Sequence, residues 1–157
     1  MSDAAARSRY ADTFRATHFS SKTDDWATPQ EFFDSLNDEF SLFWDVCASH
    51  TNAKLPLYWT REEDGLAASW RGKRVWMNPP YGREIGKWIA KAATGGAELC
   101  VCLLPARTDT RWFHTHILNN PRAEVRFVKG RLKFGGAANA APFPSMIVIF
   151  RGDADDR

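Results

Sequence analysis

The stretch that most constrains the fold is "VWMNPPYG", residues 75–82, where two prolines follow an apolar run and an asparagine. Proline has no backbone N–H and cannot continue the hydrogen-bonded ladder of an interior strand. The strand over 74–78 is therefore predicted to stop at Asn78. A strand-terminating turn is the simplest reason for this sequence, and a polar group needed at the strand's end is the other.

The rest of the chain alternates between strand and helix patterns. A predicted first helix has Thr28 as its cap, Pro29 at its first position and Glu31 completing a capping box. Helices interspersed with strands predict an open α/β sheet, mostly parallel, with the last two strands pairing as an antiparallel edge hairpin. Strands are predicted over 41–46, 74–78, 98–105, 123–130 and 145–151, and helices within 25–40, 83–96 and 109–120.

Polar residues follow several of these strands directly. In open α/β sheets, ligands bind at the carboxyl ends of the strands. Asp45, Asn78 and the segment 105–109 all fall at such ends, so we expect a site along this edge of the sheet.

Length and composition predict a single domain over 25–151, a flexible arm over 1–24 and an acidic tail over 152–157. No apolar run has the ~20 residues of a membrane helix, and the first residues do not look like a signal peptide. We therefore expect a cytoplasmic protein with no membrane partner. Its three cysteines fit reduced thiols, with Cys100 and Cys102 facing the core rather than binding metal.

Positive charge is concentrated late in the chain. Residues 105–134 hold seven Lys and Arg against two acidic residues, a net charge of +5, whereas the whole chain has +2. Such a segment favours a polyanionic partner, and a solvated basic face is the alternative. The residues assigned here to nucleic-acid binding are Arg107, Arg111, Arg131 and Lys133.

Asn-Pro-Pro-Tyr suits chemistry on the exocyclic amino group of a nucleobase. The lone pair of that group is delocalised into the ring, and two acceptors aimed at its hydrogens pull the nitrogen towards tetrahedral geometry. The side chain of Asn78 and the backbone carbonyl of Pro79 would supply them, with Pro80 helping to fix the carbonyl's direction. Tyr81 would stack on the base, which must be unpaired or flipped out of a duplex.

These residues carry a resemblance. "NPPY", with "WATPQEFFDSLNDEF", "DVCASHTNAK", "LLPARTDTRWFH", "KGRLKFGG" and "APFPSMIVIF", resembles the phage-type DNA N-6-adenine methyltransferase (Dam) family over about 25–151. The resemblance implies a compact, Rossmann-like class I methyltransferase fold and methylation of adenine N6 in double-stranded DNA. It also implies S-adenosyl-L-methionine as cofactor and a phage or prophage gene in a bacterial host.

The resemblance further implies a set of cofactor contacts. The usual G-x-G loop after the first strand is absent, and small residues such as Ala48 stand in its place. Asp45 has the alternative role of a loop carboxylate, and Asp64 that of a turn residue before Gly65. The matched cofactor positions are Thr28, Pro29, Asp45, Ala48, Asp64 and Leu66.

Other functions remain open at this stage. The same catalytic motif serves amino-group methyltransferases that act on RNA or on a protein glutamine, and a non-catalytic nucleic-acid-binding protein could keep the fold. His114 and His116 lie on a predicted helix without metal-ligand partners, and the chemistry requires no metal. The oligomeric state and the DNA recognition sequence are not encoded in any pattern we recognise.

Overall fold

The computed structural model describes residues 26–136 and 139–152. The predicted arm over 1–24, and the predicted tail apart from Gly152, lie outside these residues. The helices are α1 (Gln30–Phe40) and α2 (Ile85–Thr94), with a π-helical turn at Phe113–Ile117 and a 3₁₀ turn at Phe134–Gly136. The strands are β1 (Trp44–Asp45), β2 (Leu57–Tyr58), β3 (Arg74–Met77), β4 (Leu99–Pro105), β5 (Ala123–Phe127) and β6 (Ser145–Arg151).

The six strands form one sheet in the order β2-β1-β3-β4-β6-β5. The pairs β1–β2, β1–β3 and β3–β4 are parallel. Strand β6 runs antiparallel to both of its neighbours, so β5 points the same way as β4. This confirms the predicted α/β class with a mostly parallel sheet and an antiparallel β5–β6 pair. The carboxyl ends of β1, β3 and β4 therefore meet at one edge, together with the first residue of β6.

Strand β4 is the centre of the core. All seven of its residues are buried, as expected for a strand covered on both faces. Cys100 and Cys102 are fully buried free thiols whose sulfurs lie 3.6 Å apart, which confirms their predicted place in the core. Trp76 on the neighbouring strand packs edge-on against Phe33 of α1, with ring centroids 5.0 Å apart.

Helix α1 begins differently from the prediction. Its apolar positions Phe33, Leu36 and Phe40 are buried, as their helical spacing requires. However, Pro29 is the residue that precedes the first turn, and no side chain caps it. The predicted cap by Thr28 and the capping box are therefore wrong, because the Thr28 hydroxyl makes a different, tertiary contact.

Several predicted bounds also change. The helix predicted over 109–120 is reduced mainly to the π-helical turn, since Asn119 takes a positive φ of 60° and Pro121 follows. The first strand covers only Trp44–Asp45 rather than 41–46. Strand β5 ends at Phe127, before Gly130 turns the chain with a φ of 74°. The two-residue strand β2 falls outside all the strands predicted from the sequence.

None of the described helices is both long and apolar enough to cross a membrane.

Candidate active site

Asn78 lies at the site's centre, directly after β3. Its side-chain nitrogen donates to the backbone carbonyl of Trp26 and, at 2.9 Å, to the hydroxyl of Thr28. Both partners precede α1, about fifty residues earlier in the chain. The Thr28 side chain is itself buried. These two acceptors fix the orientation of the Asn78 amide, since the flipped amide would point its oxygen at the Trp26 carbonyl.

The consequence is that the amide oxygen of Asn78 is left without a partner. Oδ1 is buried, and no hydrogen bond from a described residue reaches it. Buried polar atoms are nearly always paired in folded proteins, so an unpaired acceptor calls for an explanation. Here the neighbouring groups hold the nitrogen and leave the oxygen free, which is what an acceptor for a ligand's N–H requires.

Tyr81 belongs to an aromatic cluster, which we define as Trp26, Tyr81, Phe134 and Phe143. The ring centroid of Tyr81 lies 5.6 Å from that of Phe143 and 6.4 Å from that of Phe134, both edge-on. Its hydroxyl donates to the backbone carbonyl of Leu103 at 3.0 Å. Burial raises the pKa of this phenol far above its ordinary value, so it is a hydrogen-bond donor at all working pH.

Asp45 organises the loop that follows β1. Its two carboxylate oxygens accept hydrogen bonds from the backbone N–H groups of Cys47, at 3.3 Å, and Lys54, at 3.0 Å. The side chain is only 2% exposed. Burial raises its pKa to about 6, opposed by those two N–H groups. The geometry thus gives Asp45 a loop-bridging position in place of the G-x-G turn that the sequence lacks.

Asp64 begins a tight turn beside the end of β1. It takes a positive φ of 55°, and its Oδ1 accepts from the backbone N–H of Leu66 at 3.1 Å. The turn fits because Gly65 has no side chain, since a Cβ there would lie 2.0 Å from the carbonyl oxygen of Val46. From α2, the ammonium of Lys91 donates to the Leu66 carbonyl at 2.5 Å and also to that of Ala68.

The matched cofactor positions therefore converge on one edge, although in different roles. Asp45 and Ala48 lie in the loop after β1, and the Asp64–Leu66 turn packs against that loop's first residue. Pro29 is half-buried at the start of α1. Thr28 faces Asn78, so its side chain is already engaged in orienting the catalytic candidate.

The basic segment divides into two parts. Arg126 pairs with Glu39 at 2.7 Å and also with Glu124, so its charge is largely balanced by two acidic side chains at the protein surface. The four residues assigned to nucleic-acid binding form no ion pair with any described acidic residue, and the guanidinium of Arg107 lies 5.8 Å from the ring centroid of Phe143. The exposed candidates are Arg107, Arg111, Arg131 and Lys133.

Sequence reasoning missed the groups that make this arrangement. Trp26 supplies a backbone carbonyl, which carries no side-chain signal, and Phe134 and Phe143 looked like ordinary apolar residues of a loop. The loop that carries Phe134 also contacts the segment before α1, because the backbone N–H of Gly135 donates to the carbonyl of Ala27 at 2.9 Å. Only the tertiary fold brings these segments together.

The fold and the site define a class. In this sheet β6 runs antiparallel between β4 and β5, and Asn-Pro-Pro-Tyr stands at the end of β3. This combination is that of a Rossmann-like methyltransferase. Residues 15–156 match the model of the family described as DNA N-6-adenine-methyltransferase (Dam), and the chain belongs to that family. Family membership confirms the predicted class of enzyme. The reaction of a methyltransferase requires a methyl donor.

Two phage proteins illustrate the relationship. A DNA N-6-adenine-methyltransferase of Haemophilus phage HP1 (strain HP1c1) is 29% identical over 144 residues, which cover 85% of this chain and 82% of the phage protein. One of Escherichia phage T1 is 32% identical over 95 residues, covering 57% of this chain and 39% of the phage protein. Both are similar to this chain in sequence and agree with the expected phage or prophage origin.

Proposed function

We propose that this chain transfers a methyl group from S-adenosyl-L-methionine to the N6 amino group of adenine in double-stranded DNA. The observation that carries the proposal is the free, buried Oδ1 of Asn78, held in place by Trp26 and Thr28. Family membership and the two phage relatives, both named DNA N-6-adenine-methyltransferase, support the choice of base and position.

The chemistry at Asn78 follows from the properties of an aromatic amine. Oδ1 accepts one N6 hydrogen and the backbone carbonyl of Pro79 accepts the other, so electron density returns from the purine ring to the nitrogen. Acceptors that are already fixed in place stabilise the charge developing on that nitrogen without reorganising. As the new N–C bond forms, the bond between the methyl group and the donor sulfur would break and leave its electron pair on sulfur. The nitrogen becomes acidic, and its proton leaves to water.

S-Adenosylmethionine supplies an electrophilic methyl group when it is bound. The described residues fit it: Asp64 is exposed, and its Oδ2 has no hydrogen-bond partner among them, so it is free to accept from an adenine amino group. The Asp45 loop forms the adjoining wall at the end of β1. This cofactor carries no phosphate, so the missing glycine-rich phosphate loop does not count against it.

The aromatic cluster supports the choice of a flat, apolar base as the second ligand. The hydroxyl of Tyr81 is tied to Leu103, which fixes the plane of its ring. Phe134 and Phe143 surround it edge-on. A purine extruded from a duplex exchanges its stacking in DNA for contacts of this kind. We assign Tyr81 to stacking on the target adenine, with Pro80 keeping the turn rigid.

The partner surface is assigned to the exposed cations near the same edge. Arg107 follows β4 directly, and Arg131 and Lys133 lie in the loop that carries Phe134. Phosphates that flank a flipped base would lie against these side chains. Backbone phosphates dominate the affinity of proteins for DNA, and exposed Lys and Arg are the groups that neutralise them.

The test is methyl incorporation from isotopically labelled S-adenosylmethionine into duplex DNA, single-stranded DNA, RNA and protein substrates. We expect label in duplex DNA, and calorimetry should detect binding of the cofactor alone. Label confined to RNA or protein would reassign the enzyme to another amino-group substrate. Absence of both label and cofactor binding would leave a nucleic-acid-binding protein that kept the fold.

A further inference from the structure

A second buried polar atom without a partner lies at the first residue of β6. Among the described residues, only Asn78 Oδ1 and Ser145 Oγ are buried side-chain polar atoms with no hydrogen bond. Ser145 is 1% exposed. An unpaired buried hydroxyl reduces stability, so its presence calls for an explanation. A hydrogen bond to a bound ligand is one such explanation.

Strand register puts the two atoms on the same face of the sheet. Met77, the last residue of β3, pairs with Cys102, and Leu103 pairs with Ile147. Continuing the β3–β4 register by one residue sets Asn78 opposite Leu103. Residues paired across strands share a face, and so do residues two apart along a strand. Ser145 is two residues before Ile147 and therefore shares the face of Asn78, one row nearer the carboxyl edge.

Strand order indicates which ligand Ser145 would meet. The loop and turn assigned to the cofactor follow β1, on one side of β3. Ser145 is on β6, two strands away on the other side. Two strand spacings and the offset of one row along the strands together put the two Cα atoms about 12 Å apart, which the two side chains and a purine with a hydrogen bond at each side can bridge. The ligand between Asn78 and Ser145 is therefore the target base and not the cofactor.

Neighbouring contacts tie Ser145 to the site. Pro105, its partner across the ladder, immediately precedes the 106–107 segment, and the N–H of Ala106 donates to the carbonyl of Pro144 at 2.9 Å. Phe143, two residues before Ser145, packs on Tyr81. Asn78 Oδ1 and Ser145 Oγ are both buried. Burial is therefore no reason to assign a ligand contact to Asn78 and to deny one to Ser145.

We propose that the Ser145 hydroxyl is a further positioning group for the target adenine, donating a hydrogen bond to one of its ring nitrogens while Asn78 accepts from N6. This inference rests on the proposed function and deepens it, because it assigns a specificity contact on the base. The adenine ring offers N1, N3 and N7 as acceptors, and a serine hydroxyl is a suitable donor for each.

The first experiment compares stability and activity of Ser145→Ala, with Ser35→Ala as control. Ser35 is exposed on α1 and bonds its own helix. If Ser145 serves the base, its removal should leave the unfolding midpoint unchanged or raise it by roughly 2–4 °C, while kcat/KM for DNA falls about 10-fold, the value of one hydrogen bond. A lowered midpoint together with lowered activity would make Ser145 a structural residue and overturn the proposal, and so would unchanged activity.

The second experiment identifies the contact on the base. Duplexes carrying 1-deaza-, 3-deaza- or 7-deazaadenine at the target are methylated with wild type and Ser145→Ala. One analogue should abolish the difference between the two enzymes, because the acceptor is already missing. A difference that persists against all three overturns the inference while adenine methylation stands. No methylation of adenine by the wild type overturns the proposed function, and this inference with it.

Discussion

The hydroxyl of Thr28 accepts a hydrogen bond at 2.9 Å from the side-chain nitrogen of Asn78, across fifty residues of sequence. This contact decides which end of the Asn78 amide is free. With the nitrogen held, the oxygen is the end that remains available to a substrate amine. A threonine that sequence analysis assigned to helix capping and cofactor contact is thus placed to orient the side chain that we propose as the catalytic acceptor.

Replacement of Thr28 should therefore impair turnover more than cofactor binding. Thr28→Val keeps the shape and removes the oxygen, which leaves the amide held by the Trp26 carbonyl alone. We expect kcat to fall about 5-fold, since a hydrogen bond of this kind is worth about 1 kcal/mol. Thr28→Ser keeps the acceptor and should remain close to wild type. Equal activity of Thr28→Val and wild type in steady-state assays would remove Thr28 from this role.

Asp64 offers a way to separate a turn residue from a cofactor contact. Asp64→Asn keeps an acceptor for the Leu66 N–H and tolerates the positive φ, but it loses the charge. We expect calorimetry to show S-adenosylmethionine binding weakened about 10-fold in this variant, with the unfolding midpoint nearly unchanged. Asp64→Ala should lose both affinity and stability. If Asp64→Asn binds S-adenosylmethionine with wild-type affinity, the only role of Asp64 is to stabilise the turn.

The buried carboxyl of Asp45 predicts a pH dependence of stability. Its folded pKa of about 6 lies above its ordinary value of 3.8, so the folded chain binds more protons between these values. The stabilisation is complete below pH ~4 and is lost as the pH rises through 6. Urea unfolding should show wild type gaining about 1 kcal/mol relative to Asp45→Asn between pH 7 and pH 5. If the free energies of unfolding of the two proteins change in parallel with pH, folding does not raise the pKa of Asp45.

The assigned DNA surface predicts a change in salt dependence. Arg131→Ala/Lys133→Ala should weaken duplex binding and reduce the slope of log affinity against log salt by about 2, if each side chain neutralises one phosphate. The control, Lys73→Ala/Arg151→Ala, removes two positive charges at the opposite edge of the sheet, where Arg151 pairs with Glu124 at 3.2 Å, and should leave the slope unchanged. Equal effects of the two pairs would mean that only net charge matters.

Much of the fold was predictable because its signals are local. The prolines after Asn78 end β3 at Met77, within one residue of the predicted stop, and the continuous apolar run of β4 identifies a strand covered on both faces. Where prediction was wrong, a tertiary contact had displaced a local one. Thr28 bonds Asn78 instead of capping α1, and the short β2 exists because it pairs with β1 rather than by its own pattern.

The site was only partly predictable for the same reason. The sequence predicted that Asp45 and Asn78 follow strands whose carboxyl ends meet at one edge of the sheet, and the parallel pairing of β1 with β3 agrees with this. The carbonyl of Trp26, the rings around Tyr81 and the unpaired hydroxyl of Ser145 have no signature in sequence, because each matters only through residues far away in the chain.

The most direct test of the central claim is mass spectrometry of nucleosides from the DNA of methylation-deficient bacteria that express either the wild-type chain or Asn78→Ala. The account predicts N6-methyladenine in DNA from wild-type cells and none above background with Asn78→Ala, although the variant remains folded and binds S-adenosylmethionine. Losing an acceptor used in the transition state commonly costs about 3–4 kcal/mol, or over a hundredfold in rate. Absence of N6-methyladenine with the wild type, or equal amounts with both proteins, would contradict the account.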